Sequence, residues 1–351
     1  MYESVTINSF RSILKAELPD LNRVNLFIGP NNSGKSSFLE AIYLLSLPLN
    51  VQAILAILGN RSNGFRLSQR SIVSNAGWLF RNHDLATKVQ FSGVVNKNKY
   101  SVSLQLKDFT KGQGSKLNFS ADQNIEVGKL TLSFAEDGKN APRTQEFSFT
   151  NAQGWAIPNA QFPSLQAAAL INPHWHSDQM VGVREFSAAL MNNFTPACIE
   201  LLKEFDPRIR DIKIILDDDG VPELFVESAD VGLYPITILG DGYKRVFLSS
   251  IVMAQVENGC LMMDEFDTGI HHKVLTRYFS WLVQMAAKKN IQLFLSSHSI
   301  DVLDILAGLP SDQLRQINVY RIKKDKDQTV VQLVPGESFA SSINELGVDL
   351  R

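Results

Sequence analysis

Eight residues, Gly29-Pro-Asn-Asn-Ser-Gly-Lys-Ser36, constrain this chain more than any other stretch. Gly29 and Gly34 let the backbone wrap closely around phosphates, with amide N–H groups turned toward the oxygens. Lys35 reaches the outer phosphates of a nucleoside triphosphate, and the Ser36 hydroxyl is placed to ligate magnesium. Asn31, Asn32, Ser33, Gly34 and Ser37 complete the expected nucleotide-binding set. The flanks agree with this reading. Val24–Ile28 is an apolar strand that enters the loop, and from Ser36 to Leu47 the residues Phe38, Ile42 and Leu45 recur at helical spacing, with Pro48 as the stop. A helix beginning there turns its positive dipole end toward the anion.

A second motif narrows the chemistry. Cys260-Leu-Met-Met-Asp264-Glu265 is an apolar strand that ends in two carboxylates. Asp264 is placed to hold the magnesium, directly or through water, and Glu265 to polarise the water that attacks the terminal phosphate. A third strand, Ile291–Leu295, ends in Ser296-Ser-His298, where a histidine can sense the terminal phosphate and the attacking water. A lone histidine after a strand is more often a surface or packing residue, so His298 gains weight only from its company.

Between these motifs the pattern changes. Val89–Val95 and Tyr100–Leu106 flank Asn96-Lys-Asn-Lys99 as a hairpin, and Lys129–Phe134 and Glu146–Phe149 read as further strands. A helical stretch from about Arg184 to Phe205 has its expected interruption at Pro196, and Ile212–Leu216 with Leu224–Val226 forms another hairpin. From Asp241 onward helix and strand alternate, which predicts a parallel sheet covered by helices and ligands at the carboxyl ends of its strands. The expected organisation is a split core, 1–58 with 230–351, carrying an inserted β-hairpin and helical subdomain over 59–229.

Composition sets the outer limits. The 351 residues are 44% hydrophobic and 20% charged, enough for a sizeable core, and the formal net charge of -2 argues against a dominant attraction to nucleic acid or anionic membrane. Cys198 and Cys260 are the only cysteines, too few for a disulfide framework or a cysteine-rich zinc site. No signal peptide or spanning segment is expected, and a reducing cytoplasm is the compartment that fits.

Loop, Asp-Glu strand and strand-His, in this order around a β/helical middle, resemble the ABC-type ATPases. More narrowly, they resemble the RecF/OLD-like AAA family ATPases of prokaryotes. Phe10-Arg-Ser-Ile and Asn25-Leu-Phe-Ile-Gly-Pro-Asn-Asn-Ser-Gly-Lys-Ser36 are similar to that family's start, Asp264-Glu-Phe-Asp-Thr-Gly-Ile-His271 to its extended acidic motif, and Leu346-Gly-Val-Asp-Leu-Arg351 to its ending. The resemblance implies an α/β P-loop NTPase of the ABC-ATPase type, with a mostly parallel sheet and an inserted antiparallel β and helical subdomain. It implies ATP and Mg2+ as cofactors, with Lys35, Glu265 and His298 catalytic and Ser36 and Asp264 on the metal. It also implies a signature loop, for which Leu239-Gly-Asp-Gly242 stands in the right place. Gly240 replaces the usual Ser, and Lys244 or Arg245 is the substitute source of charge. Gly240, Asp241 and Gly242 would then close the site of a second copy, making a homodimer or higher oligomer around ATP, with His271 near the same interface.

Several candidates stay open. The family's glutamine-bearing loop falls at Gln69 or at Arg81-Asn-His-Asp84, and the sequence does not choose. His174 and His176 flank Trp175 without a third ligand, Asp217-Asp-Asp219 suits a turn, and Arg321-Ile-Lys-Lys-Asp-Lys326 reads as a solvated hairpin tip with DNA contact as the minor option. The functional expectation is a regulatory or sensor ATPase in prokaryotic antiphage defence, working with a separate nuclease or toxin, because the chain leaves no room for a TOPRIM-type nuclease. The alternative is a RecF-like, DNA-binding repair ATPase. A membrane transporter's ATPase subunit is disfavoured.

Overall fold

In the computed structural model, residues 1–60, 76–113, 124–139, 141–150, 154–155, 164–173, 182–217 and 219–346 are described. Gln69, His174, Trp175, His176, Asp218 and the final stretch 347–351 lie outside them. The chain opens with strands β1 (Tyr2–Phe10), β2 (Ile13–Leu18) and β3 (Val24–Ile28), then helices α1 (Lys35–Ser46) and α2 (Val51–Asn60). Strands β4 (Val89–Val95), β5 (Asn98–Gln113), β6 (Asn124–Glu136), β7 (Arg143–Thr150), β8 (Gly154–Trp155) and β9 (Ala168–Ile171) follow. Helices α3 (Val183–Met191) and α4 (Thr195–Phe205) lead into β10 (Ile209–Leu216), β11 (Pro222–Ser228) and β12 (Gly232–Pro235). The last third runs α5 (Asp241–Val252), β13 (Cys260–Met263), α6 (His272–Lys288), β14 (Gln292–Ser297), α7 (Ile300–Ala307), α8 (Ser311–Leu314), β15 (Ile317–Asp325), β16 (Gln328–Pro335) and α9 (Gly336–Leu346).

Strands β16, β15, β3, β14, β13 and β9 form one sheet in that order. Every pair in it is parallel except the edge hairpin β15–β16. Leu26 lies between Leu295 and Val319, and Met263 between Leu295 and Ile171. Because alternate side chains leave opposite faces of a strand, this sheet divides two cores. Val24, Leu26, Leu261, Leu293, Leu295 and Val319 face the helical side, built from α3 to α7. Phe27, Met262, Phe294 and Tyr320 face the other side, where α1 and the antiparallel sheet close over them. Phe27 is the hub there, with ring centroids 5.8 Å from Phe38, 5.6 Å from Tyr320 and 6.4 Å from Phe294.

The second sheet has the order β2-β1-β4-β5-β6-β7-β8 and is antiparallel throughout. Its membership cuts across the expected boundaries. The opening hairpin β1–β2 pairs with β4 from the middle segment, with Ile7 opposite Phe91, while β9 from that same segment joins the parallel sheet beside β13. The middle is therefore woven into both sheets, and among the described residues only β10–β12 stand as a sheet of their own. The helix break also differs from expectation. It falls at 192–194, where Asn193 takes φ 52°, and Pro196 sits in the first turn of α4, a position that needs no backbone N–H.

Replacing Phe27 with Ala should cost about 3–5 kcal/mol, the usual range for deleting a fully buried aromatic ring. The check is a lower urea midpoint with an unchanged slope of unfolding free energy against urea.

Candidate functional site

Strand β3 is buried at every position and ends at Ile28, so the next residues must turn at the carboxyl edge of the sheet. Gly29 is obligatory in that turn: a Cβ on it would stand 2.2 Å from the Ile322 carbonyl oxygen of β15. Gly34, at φ 104°, ends the loop and caps α1 without a side-chain hydrogen bond, and the first turn of α1 carries no acidic residue. The Ser37 and Phe38 amides donate to the Gly34 carbonyl, at 2.9 and 3.2 Å, so the Lys35 and Ser36 amides are the ones turned to an external anion. Lys35 folds back over the loop, its Nζ donating to the carbonyls of Gly29 at 2.7 Å and Pro30 at 3.0 Å. Burial lowers the Lys35 pKa, and the carboxylates of Asp264, Glu265 and Asp267 push it back up. The amine therefore lies within electrostatic reach of acidic groups two strands along the sheet.

Those groups arrive at the end of β13. Asn31, Asn32, Gly34, Lys35, Ser36 and Ser37 line a cleft of about 620 Å³ together with Asp264 and Glu265. Ser33 is buried beneath the loop. One side chain fixes both carboxylate-bearing residues: the buried Ser296 donates from Oγ to Asp264 Oδ1 at 2.5 Å and accepts from the Glu265 N–H at 2.8 Å. Glu265 is held at φ 47°, in the left-handed region that non-glycine residues rarely adopt. Its Oε1 lies 3.6 Å from His298 Nδ1, and Thr268 Oγ1 donates to its Oε2 at 3.4 Å. His298 itself does not line the main cleft but an adjoining hollow of about 650 Å³, with Gly29, Pro30 and Asn31 on its wall. Asp267 is buried behind Glu265, which raises its pKa against the lowering effect of a hydrogen bond from Ser297.

Gly240, Asp241 and Gly242 are not part of this cleft. Gly240 caps α5 without a side-chain bond. Gly242 packs so closely on the loop after β13 that a Cβ there would stand 2.8 Å from the Gly269 carbonyl oxygen. The two cations offered as a replacement for the missing Ser hydroxyl are engaged elsewhere. Lys244 pairs with Asp241 at 2.7 Å, while the buried Arg245 donates to the carbonyls of Thr268 and Pro173, at 2.5 and 2.7 Å. Arg245 ties α5 to the loop that carries Glu265. His271 caps α6, its Nδ1 accepting from the Lys273 N–H at 3.3 Å.

Sequence reasoning missed part of the lining. Arg11 and Ser12, from the β1–β2 turn, reach the cleft, as do Trp78 and Phe80. Arg11 Nε pairs with the buried Glu40 of α1 at 2.7 Å. Asn82 and His83 also line it, so part of the 81–84 segment, one of two places considered for a glutamine loop, comes to this cleft. The Phe10-Arg-Ser-Ile run held a signal for Arg11 and Ser12. Nothing local marked Trp78, and Ser296 was read only as part of the Ser-Ser-His strand end, without its role. Ser296→Ala should lower stability by about 1–3 kcal/mol, because it strips the partner from a carboxylate oxygen and from the Glu265 amide; chemical denaturation measures the loss.

Comparison with known proteins bears on the family and the fold. Residues 24–304 match the family described as "AAA domain, putative AbiEii toxin, Type IV TA system". A Helicobacter pylori protein named "ATP/GTP phosphatase" is 21% identical over 97% of this chain and 97% of its own length. The RecF "DNA replication and repair protein" of Bacillus velezensis is 29% identical over 39% of this chain and only 32% of its own length. Among solved structures, an Smc head domain bound to the C-terminal domain of ScpA, from Pyrococcus furiosus, superposes with a TM-score of 0.53 at 10% identity, covering 99% of both chains, a likeness of fold alone. The matched stretch runs from the phosphate-loop strand through Asp264 and His298 and takes in most of the chain. The chain belongs to the AAA-domain family described as putative AbiEii toxin, Type IV TA system, and is an ABC-type, RecF/OLD-like P-loop ATPase.

Proposed function

We propose that this chain is an ABC-type head that binds Mg-ATP, pairs with a second copy around the nucleotide and hydrolyses it, and that this cycle serves as the sensor of a prokaryotic antiphage system with a separate effector. One observation carries the reading: Lys35 and Ser36 share a cleft with Asp264 and Glu265, while Gly240–Gly242 sits at a helix start outside it. A triphosphate held by the first group has no signature loop over it within one chain. A second copy supplies one.

The donor set fits magnesium. Ser36 offers a hydroxyl and Asp264 a carboxylate across the same cleft, oxygen ligands of the kind that ion prefers. When bound, the ion supplies charge neutralisation between the outer phosphates. Lys35 leaves its loop carbonyls to neutralise the terminal phosphate. Glu265 accepts the proton of the attacking water, and His298, beside its carboxylate, orients that water and the phosphate. Ser296 keeps Asp264 and Glu265 in position throughout. The name of the Helicobacter pylori relative supports hydrolysis of ATP or GTP, and the family's description supports a toxin-linked setting. DNA repair is the second reading, favoured by similarity to RecF over about two-fifths of the chain. The net charge of -2 gives it little help.

Glu265→Gln should keep ATP affinity, lower turnover by about 10²–10⁴-fold, and collect as a dimer on size-exclusion chromatography with ATP present. A variant that stays monomeric at saturating ATP sinks the composite-site mechanism. Salt-sensitive binding of plain duplex DNA would turn the choice toward repair, and co-purification of a nuclease or toxin without such binding would turn it toward defence.

A further inference from the structure

The cleft wall opposite expectation is aromatic. Trp78 is 58% exposed, although Ala76, Leu79 and Phe80 around it are buried. An indole kept out of the core by its own neighbours is unusual, since a tryptophan has much apolar area to gain by burial. The backbone holds it there. The Arg11 N–H donates to the Leu79 carbonyl at 3.1 Å, and Phe80 bridges to Phe10 at the end of β1. The chain then turns back through Asn82 and His83, at φ 52° and 57°, which brings the His83 ring to 3.9 Å from the Trp78 ring, centroid to centroid, at 72°. The imidazole braces the indole edge-to-face. Both rings line the same cleft as Lys35 and Ser36.

We propose that Trp78, braced by His83, is the platform on which the base of the bound nucleotide stacks. The proposal rests on the nucleotide reading of this cleft. At about 620 Å³ the space takes more than a triphosphate, and its phosphate end is accounted for by the loop and the start of α1. What remains to be matched is a flat, weakly polar ring, and an exposed indole gives such a ring the best partner among side chains. Stacking accepts any base with a π-face, so the platform supplies affinity with little discrimination between adenine and guanine.

The test compares Mg2+-bound ATP, GTP and inorganic tripolyphosphate by calorimetry on the full chain and on Trp78→Ala, Trp78→Phe and His83→Ala. Because Trp78 is exposed, its substitution should leave the fold intact, which circular dichroism checks. Trp78→Ala should weaken ATP and GTP by about tenfold and leave tripolyphosphate binding unchanged; Trp78→Phe should restore most of the loss, and His83→Ala should lie between. Unchanged ATP affinity in Trp78→Ala, or an equal loss for tripolyphosphate, overturns the platform while leaving the phosphate site standing. If the unaltered chain binds neither ATP nor tripolyphosphate, the nucleotide reading falls and takes the platform with it.

Discussion

The hydrogen-bonded register of three parallel strands fixes everything at the carboxyl edge of the main sheet. Ile28 lies opposite Ser297, and Leu295 opposite Met263. The phosphate loop, the Asp-Glu pair and the Ser-Ser-His run therefore leave adjacent strands within a residue or two of the same level. All three strands are buried on both faces, so a one-residue slip would exchange the residues of two different cores and is strongly disfavoured. The active edge inherits its precision from that constraint.

How much of this could be read in advance follows from where each signal resides. The loop, Asp264, Glu265 and His298 are local: each is a strand end with a distinctive residue type, and periodicity locates strand ends well. Strand β9 was not legible, because Ala168–Ile171 is short and its partner β13 lies some ninety residues later. The sharing of β1 and β2 with the middle segment was hidden for the same reason: pairing across distance leaves no local pattern. Ser296 escaped because its role depends on two backbone positions brought from another strand. The part suggested for Lys244 and Arg245 meets charges already engaged within one chain. Their charges are used at Asp241, Thr268 and Pro173.

The contact of Gly242 with the Gly269 carbonyl, and of Arg245 with Thr268, joins two parts of the proposed machine inside one copy. In the proposed dimer Asp264 and Glu265 would face one nucleotide, and the start of α5 another. With no space for a Cβ between them and a buried guanidinium donating across the gap, the two are packed to move as one body in the proposed cycle. A head that closes on its partner's nucleotide would thus carry its own Glu265 loop along, which links the two sites by packing alone.

The order of the sheet also bears on how the chain reaches this state. Strand β3 carries the phosphate loop, yet both of its neighbours, β14 and β15, come more than 260 residues later. A growing polypeptide therefore displays Val24–Ile28, four apolar residues and Asn25 with open backbone edges, until β14 and β15 have been made. The phosphate loop lacks both flanking strands until then. The phosphate-loop strand is made early and seated late, and in the interval its edges are open to pairing with the wrong chain.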